Sequence, residues 1–285
     1  MSTLVQKDIR TSNHRKFHVN MEYYTSAQDV VKDCRERAIT SSRFKDKSKE
    51  SFDDWEGVKT YDEALDLLKN GYQPTVDALQ DAVKANGIGA GKRISFQNEI
   101  AGFMPVVPLA LKGVPNCMIN MTMKPIKTKV IDVYYDMTSN AGTSSQTIIE
   151  NGQKLLACII DLEKQGYKFN LYAVQTYCDD EGCDTLVVKI KSSDKPLDLK
   201  RMSFPLTHTA FFRVIGFDWY SRTPHGTFRG GYGHALKYEM SSEEERKQFA
   251  EQVFGKNAVM ILGRQIQDTG EEHIKEVLTN ERKNR

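Results

Sequence analysis

No apolar run in the sequence approaches the roughly 20 residues that a membrane-spanning helix requires. The opening stretch, MSTLVQKDIRTSNHRK, lacks the apolar core of a signal peptide, so a cytoplasmic setting is the expectation. Cysteine is scarce. Cys34, Cys117, Cys158, Cys178 and Cys183 form an odd, scattered set, which argues against a disulfide-stapled secreted scaffold and predicts reduced thiols. Excess charge of one sign is missing as well: 40 Lys+Arg against 38 Asp+Glu leave a formal net charge of +2, too little to announce nucleic acid. No internal repeat is present. Neither a GxSxG elbow nor a local Cys/His signature stands out among the six histidines, so no nucleophilic catalyst is legible, and assembly of a site from distant residues stays open.

What remains is the composition of an ordinary globular protein, with 39% hydrophobic and 27% charged residues in 285. That length can bury one large core or two small ones. Three parts are expected: residues 1–53, a strand and helix followed by a linker; 54–126, a helical hairpin and a proline-interrupted segment; and 127–285, an α/β unit. In the first part KFHVNMEYY reads as a strand, and SAQDVVKDCRERA as a helix with Ser26 as its cap. Ser41 to Asp53 reads as a mobile linker or exposed loop. In the second part Thr60 caps a helix that Gly71 ends, and Pro74 opens another. GIGAGKR has the wrong glycine spacing for a phosphate loop and reads as a connector. Pro105, Pro108 and Pro115 deny the next stretch a regular helix or central strand, and its methionines read as core filler.

From Lys127 the pattern is more regular. TKVIDVYYD is a strand, SSQTIIENGQKLLACIIDLEKQG an amphipathic helix and KFNLYAVQTY a second strand, an order that closes most easily with the two strands parallel. CDDEGC is a polar hairpin turn leading to DTLVVKIKSS, a third strand expected at a sheet edge. Asp179, Asp180, Glu181 and Asp184 therefore read as a solvated tip rather than a metal cluster, and the Cys178/Cys183 pair lacks the further ligands zinc needs. LTHTAFFRVIGFDWYSRT is compatible with a helix capped near Thr207 or Thr209, although Gly216 weakens it. Ser241 and Glu244 suggest a capping box, NAVMILG a short buried strand, and TGEEHIKEVLTNERKNR a closing helix.

The strand ending in Asp136, the hydroxyl-rich turn, the long helix, the two hairpin strands, the next hydroxyl-rich loop and the last strand and helix resemble a von Willebrand factor A domain over about Lys127 to Arg285. The resemblance implies a mixed sheet flanked by helices, with a magnesium site built from DxSxS after the first strand, a Thr in a second loop and an Asp after a later strand. Asp136 and Thr138 match the first two positions, Asn140 replaces the third, and Thr207 or Thr209 supplies the second-loop hydroxyl. NAVMILG ends in Gly263 where that family has Asp, which leaves the implied magnesium site degenerate. Three readings of the turn are open: a metal site, a degenerate site that docks a partner, or a structural turn with Ser144 or Ser145 capping the helix. DWEGVKTYDEALDLLKNGY, NAGTSSQTIIENGQKLLACIIDLEKQGYKFNLYA and HGTFRGGYGH also resemble an uncharacterised family encoded by tailed bacteriophages and prophages. That likeness brings no activity. By analogy with phage proteins that pair A-like domains with ring-forming ATPases, it suggests such an ATPase as a protein partner.

Function follows as a set of rivals. The first is a noncatalytic protein-interaction module, needing no cofactor, whose partner meets Asp136, Thr138, Asn140, Ser144, Thr207 and Thr209 at the carboxyl ends of the strands. The second is a nucleic-acid-binding or nucleic-acid-processing protein using HGTFRGGYGH and its surroundings, with Arg222, His225, Arg229 and His234 as the contact residues. A phage structural or assembly component is the third.

Overall fold

Alternation of apolar side chains in short β-branched and aromatic runs, interleaved with amphipathic helical stretches, gives a layered α/β protein. The computed structural model describes residues 2–10, 16–84, 92–125, 130–179, 181–224, 232, 234–236, 242–256 and 258–280. The chain starts with β1 (Thr3–Arg10), β2 (Lys16–Tyr24) and α1 (Ala27–Glu36), and the Ser26 hydroxyl accepts the Asp29 N–H at the start of α1. α2 (Tyr61–Asn70) is capped by Thr60 and ended by Gly71 at φ 80°, and α3 (Gln73–Lys84) completes the helical hairpin. β3 (Lys92–Glu99), β4 (Met104–Pro105), α4 (Val107–Leu111) and β5 (Met118–Pro125) come next.

β6 (Val130–Asp136), α5 (Ser145–Lys164), β7 (Lys168–Cys178) and β8 (Gly182–Lys191) follow the expected strand–helix–strand–strand order. After them come α6 (Leu199–Thr207), a π-helical turn (Phe211–Gly216) and α7 (Phe217–Arg222). The chain closes with α8 (Glu243–Val253), β9 (Ala258–Leu262) and α9 (Gly263–Asn280), which is kinked at Gly270.

The main sheet has six strands in the order β1-β2-β8-β7-β6-β9. β6 lies parallel to both neighbours, β7 and β9, so their carboxyl ends share one edge, and β8 returns antiparallel to β7. Alternation along β6 sends Val133 and Tyr135 into the large core beneath α5 and α6, and Tyr134 to the opposite face. There Tyr134 stacks on Tyr172 at 4.5 Å and on Phe254 at 4.0 Å. α8 covers the rest of that face, placing Phe249, Ala250 and Val253 with Phe17, Met21 and Leu262. β3, β5 and β4 form a separate three-stranded sheet.

Several expectations need correction. β8 is an interior strand rather than an edge, because β2 pairs with it in parallel through His18↔Gly182 to Tyr24↔Val188. The N-terminal strand pair supplies that cover, and β1 itself went unread because TLVQKDIR has too little apolar alternation. Ser41 to Asp53 is packed rather than loose: Phe44 and Phe52 lie against the main core and Asp46 pairs with Arg222 at 2.8 Å. The proline-interrupted stretch does run in extended pieces, but a short helix stands between them, β5 is the central strand of the small sheet, and Met104 and Met121 are exposed instead of filling a core. The capping box sits one residue later, where Ser242 and Glu245 exchange hydrogen bonds at 3.1 and 3.0 Å. GIGAGKR falls mostly outside the described residues.

Candidate functional site

β6 ends in Asp136, and its carboxylate is fully buried. Oδ1 accepts the Thr138 N–H at 3.0 Å and the Thr138 hydroxyl at 2.5 Å, and Oδ2 accepts the Thr176 hydroxyl at 2.5 Å. Burial pushes this carboxyl up to about 6, against the opposing pull of those hydrogen bonds. The group therefore titrates close to neutrality.

The hydroxyls above Asp136 form the floor of a cleft of 370 Å³. Its polar side is Thr138, Ser139, Asn140, Thr176 and His234, and its apolar wall is Trp55, Tyr177, Phe212, Phe217 and Tyr232. Five separated segments meet here, and each is tied in place. Trp55 donates its indole N–H to the Ala141 carbonyl at 2.7 Å, and the Ser145 hydroxyl donates to the Asp54 and Trp55 carbonyls at 2.7 and 3.0 Å. Phe217 stacks on Tyr232 with 3.9 Å between ring centres. His234 pairs with Cys178 by two backbone hydrogen bonds of 2.8 Å, which holds the strand end against the following loop.

Arg213, on the π-helical turn, is the bolt between these segments. It is fully buried, lies 4.0 Å over the Trp55 ring, and donates to the carbonyls of Trp55 at 2.6 Å, Thr143 at 2.7 Å and Asn140 at 3.4 Å. Its Nε has no acceptor among the described residues, and burial pulls the guanidinium down to about 10. Three carbonyl dipoles and an indole face hold it, and the Glu56 carboxylate opposes the effect of burial from a distance. The turn is seated on β7 through Gln175, which donates to the Phe211 carbonyl at 3.0 Å and accepts from the Tyr177 hydroxyl at 2.7 Å. Gly216 is required for that seat: a Cβ there would lie 1.6 Å from Gln175 Oε1.

The residues expected at this rim separate into three groups. Asp136, Thr138 and Asn140 converge at the cleft, with Ser144 just beyond them, where it caps α5 by accepting the Thr147 N–H at 3.1 Å. Thr209 reaches the start of α5, donating to the Ser145 carbonyl at 3.4 Å. Thr207 does not join them: it lies inside α6, donates to the Ser203 carbonyl at 2.8 Å and meets Thr75 at 3.1 Å. The hydroxyl that does reach Asp136 is Thr176, whose only sequence trace is the polar pair Gln175-Thr176 interrupting an apolar strand. Trp55, remote in sequence, gave no signal at all.

The arginine and histidine set is divided as well. Arg222 is spent inside the fold, pairing with Asp218 and Asp46 at 2.8 Å each and donating to the Arg37 carbonyl at 2.7 Å. His234 comes to the same cleft as Asp136, and His225 and Arg229 lie outside the described residues. At the β7–β8 tip Asp179 accepts the N–H groups of Glu181 and Gly182, a polar turn as expected, whereas Asp184 is buried and accepts from Asn20 at 2.9 Å. Asp180 is not among the described residues.

The donor set is a poor match for a magnesium ion. A hard divalent cation needs several oxygens with anionic charge among them. Among the described residues Asp136 is the single carboxylate here, its oxygens already accept three hydrogen bonds, and no group of three His, Cys, Asp or Glu is placed to hold a metal. These residues do not fit the ion.

No curated protein and no solved structure matches the chain. A family model described as a domain of unknown function, DUF7192, matches residues 9–282, which takes in the small sheet, the main sheet apart from most of β1, and every segment that builds the cleft. The chain belongs to the DUF7192 family.

Proposed function

We propose that this chain is a noncatalytic protein-interaction module that receives a turn or side chain of a partner in the cleft above Asp136. The observation that carries the reading is the cleft itself: a polar floor of hydroxyls facing an aromatic wall, assembled from five segments at the carboxyl edge of the parallel strands. Such a surface offers apolar contact area and a few fixed hydrogen-bonding groups, which suits recognition. The parallel β6–α5–β7 unit, its antiparallel neighbour β8 and the buried Asp136 support kinship with A-like domains. By that analogy the partner is a subunit of a ring-forming ATPase, in the setting of a phage-encoded pair.

A photocrosslinking residue at Ser139, half-buried in the cleft, tests this against one at Lys164, exposed at the far end of α5. In cells expressing the protein, position 139 should yield a discrete protein adduct that position 164 does not. Equal adducts at both positions, or none at 139, overturn the reading. The nucleic-acid alternative loses Arg222 but keeps His234 beside Tyr232 and Trp55 on the cleft. Salt-sensitive retention on single-stranded nucleic acid that Tyr232→Ala abolishes would favour it instead.

A further inference from the structure

A second cavity lies at the opposite edge of the main sheet. β8 runs antiparallel to β7 and β2 runs parallel to β8, so the carboxyl ends of β2 and β8 lie at the edge away from Asp136. Beyond them Thr25, the end of β8, the segment 192–198 and the first turn of α6 enclose 340 Å³. Crevices beyond the carboxyl ends of strands are where open α/β sheets take ligands. The cavity shares no lining residue with the Asp136 cleft and does not rest on the function proposed for it.

Two observations describe its occupant. The first is charge. Lys189, Lys191, Lys195 and Arg201 line the cavity. Lys191 is spent inside the fold: it is buried, pairs with Glu163 at 2.7 Å and donates to the Phe169 and Ser192 carbonyls at 3.4 and 3.3 Å. The other three are free. Among the described residues no carboxylate pairs with the Lys189, Lys195 or Arg201 side chain, and none of the three donates a hydrogen bond. Asp198 is the single carboxylate on the wall among the described residues, and it is occupied as the cap of α6, accepting the Arg201 N–H at 3.1 Å. Cations gathered on a concave surface repel one another and focus a field that an anion relieves. The second observation is the floor. Ile190 and Met202, 3% and 1% exposed, line the cavity with Pro196 and offer apolar contact beside the charges. The volume is at the small end of the range for small-molecule sites.

We infer that this cavity binds a small phosphate monoester, with its head among Lys189, Lys195 and Arg201 and its apolar body over Ile190 and Met202. A phosphate monoester carries close to two negative charges at neutral pH, which matches three free cations set against one carboxylate. The guanidinium fork of Arg201 can hold two phosphate oxygens at once.

Calorimetric titration of phenyl phosphate into the full-length chain at neutral pH and low salt tests the inference. The expected result is one saturable site, about tenfold tighter than for inorganic phosphate, which lacks the apolar body, or for benzoate, which lacks the second charge. Arg201→Ala should weaken it by about tenfold and Lys195→Ala several-fold, with the thermal transition unmoved, because both side chains are exposed. Lys200→Ala removes the adjacent exposed cation, which does not line the cavity, and should leave binding unchanged. Absence of saturation up to roughly 10 mM phenyl phosphate overturns the inference. So does equal affinity for either partial probe, binding that survives both Arg201→Ala and Lys195→Ala, or equal weakening by Lys200→Ala, which would report a diffuse positive surface.

Discussion

Replacing Asp136 with Asn separates the cost of burying a charge from the hydrogen bonds that hold it. The carboxyl titrates at about 6 in the folded protein against an ordinary 3.8, with burial as the main cause. A folded pKa above the unfolded one means that the native state holds the proton more tightly. The stabilisation is fully present below about pH 4 and is lost as pH rises through about 6, after which the profile is flat. Two pH units correspond to about 3 kcal/mol, and complete burial leaves no solvent screening to discount. Asn cannot ionise. Its Oδ1 can keep the Thr138 N–H, and its Nδ2 can donate to the Thr176 hydroxyl, which is free to turn its own proton away. Urea unfolding followed by the fluorescence of Trp55 and Trp219 at several pH values should therefore show Asp136→Asn gaining on the wild type by about 3 kcal/mol between pH 4 and pH 7. Parallel profiles over that range would refute the reasoning. Thr176→Val removes one donor to the carboxylate, so its loss of stability should begin at the same pH as in the wild type, where the unfolded carboxyl titrates, and end at a higher one.

Arg213→Met leaves three carbonyls and the Trp55 ring without their shared donor and should cost about 2–4 kcal/mol in denaturant unfolding. Arg213→Lys, which keeps the charge but not the planar fork, should recover only part of that. Gly216→Ala should destabilise by about 1–3 kcal/mol because its Cβ meets Gln175, whereas Gly142→Ala, with nothing within 4 Å, should move the midpoint little. Ser242→Ala removes the hydroxyl that accepts the Glu245 N–H on α8, while its backbone N–H can still donate to Glu245, and should lower stability by about 1 kcal/mol, read from the shift in thermal midpoint.

Features satisfied within a few residues were legible in the sequence. Ser26, Thr60 and Ser144 cap the helices they were assigned to, because a cap needs only a side-chain oxygen and an N–H three residues on. KFHVNMEYY and VIDVYYD are the strands β2 and β6, and the parallel pairing of β6 with β7 follows from the long helix between them. Thr138 and Asn140 line the cleft, with Asp136 buried beneath them, because they stand at the carboxyl end of a strand that opens there.

The remainder depends on partners far away in the chain. Which hydroxyl reaches Asp136 was decided by the register of β7, which brings Thr176 to it and leaves Thr207 turned into α6. The π-helical turn, and with it the placement of Arg213, follows from its fit over Gln175 and from Trp55 arriving more than 150 residues earlier in the sequence. The interior position of β8 came from β2, and the exposure of Met104 and Met121 from a small sheet with one face bare. Periodicity says which side of an element is apolar. Only the packed chain says what that side meets, because the free energy of burial belongs to the pair of surfaces and not to either one.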